Sequence, residues 1–280
     1  MKRIAALLIL TVLAVSLDML ASEASAQDNH PAYREGITYA SEGKFREAAA
    51  WFRNNLKEYK TDSTSSSSLA VINDLNEKKI TEEYAVSFFK GLDLLQNGEI
   101  DMGLAELEKT AGSNPSYARP YNVIGVVYAS LGNEPEAIGY FRKAIEIDPR
   151  YGQACFNLAA LYQSSNRLED ALEYYEKAIS LEPDLPEASV NMAGIYASLG
   201  KYPEAIKYYR MAIELDRDNP DLYYRLSLVY FMSEQLMKFR ENLLKAQKLY
   251  RNKGDNEGLK KVAEYMDKIT DIENKFRKAK

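Results

Sequence analysis

Residues 118–151 read ARPYNVIGVVYASLGNEPEAIGYFRKAIEIDPRY, and the residues that mark this stretch return every 34 positions as far as Arg217. The first copy is marked by Tyr121, Ile124, Gly125, Tyr128, Ala137, Phe141, Ala144 and Pro149. The second has Leu158, Ala159, Tyr162, Ala171, Tyr175, Ala178 and Pro183, and the third has Met192, Ala193, Tyr196, Ala205, Tyr209 and Ala212, with Arg217 in place of the proline. A gapless period of this length predicts a solenoid of stacked units.

Each copy predicts two helices that pack closely against each other. A small residue at Gly125, Ala159 or Ala193 lets the second helix approach the first, and large residues such as Phe141 fill the space beside it. The turn between the helices falls at Gly132, and the equivalent position in two other copies is occupied by Gly98 and Gly200. Glycine at this position allows a left-handed backbone turn.

The small, tyrosine and proline markers at these offsets resemble the tetratricopeptide repeat (TPR). The resemblance implies an all-α fold, a right-handed α-α superhelix of about six helix pairs with a C-terminal capping helix. It also implies that the first helix of each pair faces a concave groove, and that this groove binds protein or extended peptide.

The period divides the chain into five parts. These are a signal peptide at 1–26, a first TPR-like repeat at 27–60, a serine-rich insertion or linker at 61–83, five in-phase repeats at 84–251 and a capping helix at 252–280. Within the insertion, the low-complexity run TDSTSSSS at 61–68 is expected to be mobile, and 69–75 could form a short helix. The last repeat departs from the pattern, with Glu234 at the turn position and Phe239 in the small-residue column of the second helix. A residue as bulky as Phe239 in that column requires a wider crossing or another packing partner.

The N-terminus predicts export. A short basic start precedes the 14 largely apolar residues 4–17, and Ala24-Ser25-Ala26 supplies a cleavage pattern. The apolar segment is too short to span a bilayer comfortably as a helix, so we expect a periplasmic or secreted mature protein with no membrane span after signal cleavage. An uncleaved signal anchor is the alternative. The one cysteine lies inside the array, so export brings no internal disulfide.

Composition and motifs argue against catalysis and nucleic-acid binding. The net charge is −5, whereas nucleic-acid binding requires a dense basic surface. The single histidine, His30, has no partner cluster, and Cys155 falls in a helix-packing column. No phosphate-binding glycine loop, zinc motif or nucleophile elbow occurs, so we predict a protein that is not an enzyme, with no catalytic residues, no metal and no cofactor.

The predicted binding residues lie on the first helices, along the groove. Asn157 and Asn191 match a column that carries asparagine in TPR arrays resembling the superhelix of the O-linked N-acetylglucosamine transferase. That resemblance implies hydrogen bonds from these amides to a peptide backbone, and a primary amide offers both donor and acceptor. The alternative is local helix-to-helix hydrogen bonding. The full predicted set is Asn122, which is one residue out of register, with Val126, Asn157, Ala160, Gln163, Asn191, Gly194 and Arg225.

At the two ends of the array, the large apolar residues of the first helices could either hold ligand side chains or pack on the insertion and the capping helix. A lysine and arginine clamp for acidic chaperone tails is not formed, since only Arg119 and Arg225 are basic in those columns. The sequence therefore predicts a non-catalytic scaffold that mediates protein–protein interaction or complex assembly in the cell envelope. Two alternatives remain open: a structural, self-associating module, hence a possible homo-oligomer, and an accessory subunit of an envelope enzyme or transporter.

Overall fold

The computed structural model describes residues 34–58 and 63–278, which form fourteen α-helices and, within these ranges, no strand. The predicted all-α class is confirmed. The helices group into two compact units that divide between Glu182 and Pro183. No helix between residues 34 and 58 or between 63 and 278 is both long and apolar enough to cross a membrane. The predicted signal peptide and His30 lie outside the described residues.

The first unit is built from helix hairpins. Its helices are α1 (Arg34–Ser41), α2 (Phe45–Glu58), α3 (Ser63–Asn76), α4 (Glu82–Gln96), α5 (Ile100–Ser113), α6 (Arg119–Ser130), α7 (Glu134–Ile147), α8 (Gly152–Ser164) and α9 (Leu168–Leu181). The pairs α4–α5, α6–α7 and α8–α9 pack as hairpins, each in the phase that the repeat predicts. Thr81 caps α4 by accepting a hydrogen bond from the backbone N–H of Tyr84 at 3.2 Å.

The small column brings the two helices of a pair together as predicted. A Cβ added to Gly125 would lie 2.7 Å from the ring of Phe141, and one added to Gly91 would lie 2.7 Å from Leu107 Cγ. Real Cβ atoms do not approach so closely, so these positions accept no side chain without a shift of the neighbour. Gly36 repeats the arrangement in the first hairpin, with its added Cβ 2.6 Å from the ring of Phe52.

The first hairpin docks in an orientation that the repeat pattern did not predict. Arg34 Nη2 donates to the carbonyl oxygen of Gln96 at 3.3 Å, and Thr38 Oγ1 donates to Asp93 Oδ1 at 3.1 Å. The start of α1 therefore lies at the end of α4, and the two helices run antiparallel. The period could not reveal this orientation because the insertion interrupts it between the two helices.

The insertion is more helical than the sequence suggested. Helix α3 begins at Ser63, so the serine-rich run predicted to be mobile supplies its first turns, and it ends at Asn76 rather than Leu75. Val71 and Ile72 are buried, and the helix packs mainly on α2. The chain returns to solvent at residues 76–79, as predicted, before Ile80 is buried again.

The second unit contains α10 (Pro186–Ser198), α11 (Tyr202–Leu215), α12 (Pro220–Met232), α13 (Leu236–Lys253) and α14 (Asn256–Lys278). Its bulky Phe239 is buried with its ring 5.4 Å from that of Phe231, so the aromatic packs within the α12–α13 hairpin. Tyr224 meets Tyr265 of α14 edge-on at 5.9 Å. Tyr224 therefore packs on the capping helix, and Phe231 packs on α13.

The turn between helices is left-handed in every complete hairpin from α4 onward. The backbone φ is +83° at Gly98, +77° at Gly132 and +71° at Gly200, as predicted, while Asn166 and Glu234 take the same conformation at +57° and +60°. A left-handed conformation costs an L-residue roughly 1–2 kcal/mol, although asparagine tolerates it better than most.

Replacing Glu234 with glycine is therefore expected to raise the free energy of unfolding by about 1 kcal/mol, since glycine removes the steric cost but loses more entropy on folding. Urea denaturation followed by circular dichroism measures the change. Asn166→Gly is the matched control at the equivalent turn, with an expected change close to zero. A stabilisation equal in both variants, or none at Glu234→Gly, would contradict the assignment of strain to this turn.

Candidate functional site

The predicted groove residues of the first unit lie on α6 and α8. Val126 is 40% exposed, whereas Asn157 and Ala160 are half-buried. Gln163 is also half-buried, and its Oε1 accepts a hydrogen bond from the hydroxyl of Tyr175 on α9 at 2.8 Å. These four side chains form an accessible, mixed polar and apolar surface.

Asn122 differs from the others because it is buried, with 5% of its surface exposed. Its Oδ1 accepts a hydrogen bond from Asn157 Nδ2 at 2.9 Å, and its Nδ2 donates to the Tyr151 hydroxyl at 3.4 Å. Asn122 therefore links α6 to α8, and its hydrogen bond helps to hold the side chain of Asn157 in place. Its place one residue out of register explains why it turns away from solvent.

The amide of Asn157 keeps unused hydrogen-bonding capacity. Its Nδ2 donates to Asn122, and its Oδ1 accepts from Gln153 Nε2 at 3.1 Å. A primary amide carries two N–H donors and two acceptor lone pairs, so one donor and one acceptor remain. The local hydrogen bonds considered as an alternative do occur at Asn157, and they fix its orientation without exhausting its capacity for a peptide backbone.

A cluster of ionic and tyrosine side chains borders this surface. Asp74 Oδ2, on the insertion helix α3, accepts from the Tyr117 hydroxyl at 2.7 Å and from Arg119 Nε at 3.3 Å. Its Oδ1 accepts from Lys79 Nζ at 3.0 Å. The guanidinium of Arg119 lies 5.2 Å from the ring centre of Tyr151. The contacts therefore continue from the insertion to Asn122 and Asn157.

The protonation states of the cluster follow from its surroundings. Burial alone would raise the pKa of Asp74, but hydrogen bonds from Tyr117 and Lys79, with the positive charge of Arg119, hold its pKa below the ordinary value. Burial raises the pKa of Tyr117, so its hydroxyl stays protonated and donates to the carboxylate. Asp74 is thus an anion that offsets Arg119 at the edge of the predicted groove.

Sequence reasoning missed Asp74 because the insertion lies outside the 34-residue period and has no equivalent position in the other repeats. A single acidic residue on the apolar stretch LAVINDL was the available signal. The sequence identifies Arg119 as one of two basic residues in the groove columns, but it does not show that a carboxylate neutralises this residue.

The face of α4 that is equivalent to the accessible face of α6 and α8 is covered by other parts of the chain. Ala85, Phe88 and Phe89 are buried, and the ring of Phe89 lies 6.3 Å from that of Phe45 on α2. The equivalent positions on α6 and α8 are more accessible, apart from Asn122. The apolar residues at this end therefore pack against the N-terminal helices, and the accessible part of the face begins at α6.

In the second unit, Asn191 and Gly194 lie on α10 and Arg225 lies on α12, all three half-buried. Asn191 and Arg225 each interact with other residues. The two asparagines of the predicted column thus belong to different units, and their shared role remains a prediction.

The described residues contain no group of three or more histidine, cysteine, aspartate or glutamate side chains arranged to hold a metal ion. Cys155 is a free thiol with 2% of its surface exposed, and burial raises its pKa, which disfavours the nucleophilic thiolate. The thiol occupies the helix-packing column as predicted.

Family comparison agrees with the hairpin geometry. A tetratricopeptide repeat model matches residues 118–151 and 152–185, and a TPR repeat model matches residues 193–233. Residues 118–185 and 193–233 therefore match tetratricopeptide repeats. This repeat fold is typically a non-catalytic binding scaffold that mediates protein–protein interactions. A search of curated protein sequences found no match.

Solved structures resemble the chain in fold. MamA from Desulfovibrio magneticus RS-1 is 18% identical with a TM-score of 0.55, covering 61% of this chain and 97% of its own. YrrB, described as a TPR protein with an unusual peptide-binding site, is 22% identical with a TM-score of 0.53, covering 70% and 99%. Pseudomonas aeruginosa PilF is 19% identical with a TM-score of 0.53, covering 71% and 98%. At these identities the likeness extends to the fold alone.

Proposed function

We propose that the protein is a non-catalytic scaffold whose first helices bind an extended segment of a partner protein. The proposal rests on Asn157, whose accessible amide is held in a fixed orientation and has one hydrogen-bond donor and one acceptor unused. Val126 and Ala160 flank it with apolar and small side chains that allow a backbone to come close. The fold likeness to YrrB, a TPR protein with a peptide-binding site, supports the same proposal.

Replacing both Asn157 and Asn191 with alanine is expected to weaken partner capture at least about tenfold, or about 1.4 kcal/mol, because each amide supplies hydrogen bonds to the peptide. The mature protein is used to capture partners from an envelope extract. Mass spectrometry identifies them, and the affinity of a purified partner is then measured by calorimetry. Circular dichroism confirms that the double variant keeps its helicity.

Two further variants distinguish amides that bind the peptide from amides that only stabilise the helices. Asn133→Ala changes an exposed loop asparagine whose side chain caps no helix, and it should leave the affinity unchanged. Asn122→Ala removes the same inter-helix hydrogen bond as Asn157→Ala but leaves the Asn157 amide in place. If Asn122→Ala weakens capture as much as Asn157→Ala, the amides act by supporting the helices. Unchanged capture by the Asn157 and Asn191 double variant rejects the proposed hydrogen bonds from these amides to a peptide.

We also propose that this scaffold works after export, in the periplasm or outside the cell. Support comes from the basic start, the apolar segment 4–17 and the Ala24-Ser25-Ala26 pattern. N-terminal sequencing of the protein purified from cell fractions tests this proposal, with a mature chain that begins at Gln27 as the expected result. A full-length chain in the cytosol would exclude export, and one retained in membranes would indicate an anchor.

A self-associating module is the second candidate, because α4 already shows its groove face covered by helices of the same chain. In that case a second copy would occupy the face of α6 and α8. Light scattering after size exclusion measures the molar mass. A monomer that still captures a partner favours the scaffold. Self-association is favoured if the protein forms a concentration-dependent oligomer and the Asn157 and Asn191 double variant has a lower molar mass.

A further inference from the structure

Helix α13 has an unusual charge for this acidic chain. Residues 236–253 hold six lysines and arginines and one glutamate, whereas the whole chain has a net charge of −5. The inner face of the helix is apolar and buried, and it includes Phe239, Leu243 and Ala246. The cations consequently lie on the outer face, where every one of them is exposed.

Two apolar side chains stand among these cations. Met237 is 85% exposed and Leu244, two helical turns further on, is 46% exposed. Lys248 and Arg251 continue the same line at spacings of four and three residues, so all four side chains share one face. Over 18 residues the helix is about 27 Å long. Glu241 lies on the same line between Met237 and Leu244, so the outer face is a net basic stripe with exposed apolar points.

The charges of Lys248 and Arg251 are available for a partner. In the part of the chain that the structure describes, no acidic side chain pairs with Lys248 or Arg251. Lys238 and Lys245 flank the stripe and lie near the rings of Tyr230 and Tyr223, at 5.4 Å and 5.6 Å from the ring centres. These tyrosine contacts neutralise no charge.

The shape of this surface limits what can cover it. The outer face of a helix is convex, so it suits a flat and deformable partner. We propose that the outer face of α13 binds the surface of an anionic phospholipid membrane. Lipid phosphates meet the cations, while Met237 and Leu244 enter the boundary between headgroups and acyl chains. This membrane contact is separate from the groove of α6 and α8 and does not depend on peptide binding.

Flotation of the full mature protein with vesicles tests the proposal. We expect binding to vesicles that contain phosphatidylglycerol, none to vesicles of phosphatidylcholine alone, and a loss of binding as salt is raised. Each cation near an anionic surface strengthens binding about fivefold, so the triple variant Lys245→Gln, Lys248→Gln, Arg251→Gln should bind roughly 100-fold more weakly. Met237→Ser should bind about fivefold more weakly, and its loss should persist at high salt.

The matched control removes three exposed cations from the first unit, through Arg46→Gln, Arg53→Gln and Lys90→Gln, and has the same net charge as the triple variant. It should bind vesicles as the unchanged protein does, and circular dichroism should show that all variants are folded. Equal losses in both triple variants would mean that overall charge, not α13, controls binding. Binding to both vesicle types, or to an acidic polypeptide but to neither vesicle, would overturn the proposal.

Discussion

Replacing Phe141 with alanine is expected to lower the free energy of unfolding by about 3–5 kcal/mol. The ring is 1% exposed and rests against the backbone of Gly125, which has no side chain to move into the space left behind. The helices α6 and α7 meet at this point, so the cavity would lie between them. The cost depends on how far a site can collapse, and here one wall is main chain.

Urea denaturation followed by circular dichroism measures this loss, and hydrogen exchange locates it. Repeat proteins can unfold in parts, so the loss of amide protection should be largest within residues 118–151. Tyr140→Ala is the control on the same helix, because Tyr140 is half-buried and stacks on Tyr128 at 5.4 Å. Its expected cost is about 1 kcal/mol. Equal losses in the two variants would show that Phe141 is not a central packing residue.

The hairpins could be predicted from the sequence because one packing solution is repeated. Gly125 against Phe141 is the same contact as Gly91 against Leu107, so a column of small residues and a column of large ones recur together. The left-handed turns follow for the same reason, since glycine stands at three of the five positions that need them. At Asn166 and Glu234 the left-handed turn recurs although the glycine does not.

Features that occur once could not be predicted in this way. The antiparallel docking of α1 on α4 depends on Arg34 and Thr38, which contact residues 62 and 55 positions away. These contacts cross the insertion, which does not follow the 34-residue period. Another missed feature was in fact periodic. Tyr128 stacks on Tyr140 and Tyr196 on Tyr208, with rings within 12° of parallel, whereas the rings of the intervening pair Tyr162 and Tyr174 are tilted by 53°. The 12-residue offset of these pairs is visible in the sequence.

At the candidate site, too, the repeated features could be predicted and the features that occur once could not. The resemblance indicated the helix faces, and Asn157 and Ala160 do lie on an accessible part of α8. It could not show that Asn122 is buried, because a one-residue shift on a helix turns a side chain by about 100°. Nor could it show that Asp74 borders the groove, since this contact joins residues 43 and 45 positions apart outside the period.

Replacing Asp74 with alanine is expected to cost roughly 2–4 kcal/mol at neutral pH. The side chains of Asp74 and Arg119 are 13% and 24% exposed, so the change leaves a largely buried guanidinium without its carboxylate. The Tyr117 hydroxyl also loses its acceptor. Because the pKa of Asp74 is lower in the folded than in the unfolded chain, its contribution is complete above the unfolded value, about 4, and is lost as pH falls through the folded value.

Urea denaturation of the unchanged protein and of Asp74→Ala at a series of pH values measures this contribution. The difference between the two should be constant from neutral pH to about 5 and should shrink in stronger acid, where the carboxyl group is protonated in both states. Glu77→Gln is the matched control, because Glu77 also pairs with Lys79, at 2.8 Å, but is 60% exposed. Exposed ion pairs contribute about 0–1 kcal/mol, so Glu77→Gln should change the unfolding free energy little at any pH. A difference at Asp74 that does not vary with pH would mean that the residue stabilises the fold through packing alone, and that the Arg119 charge is offset elsewhere.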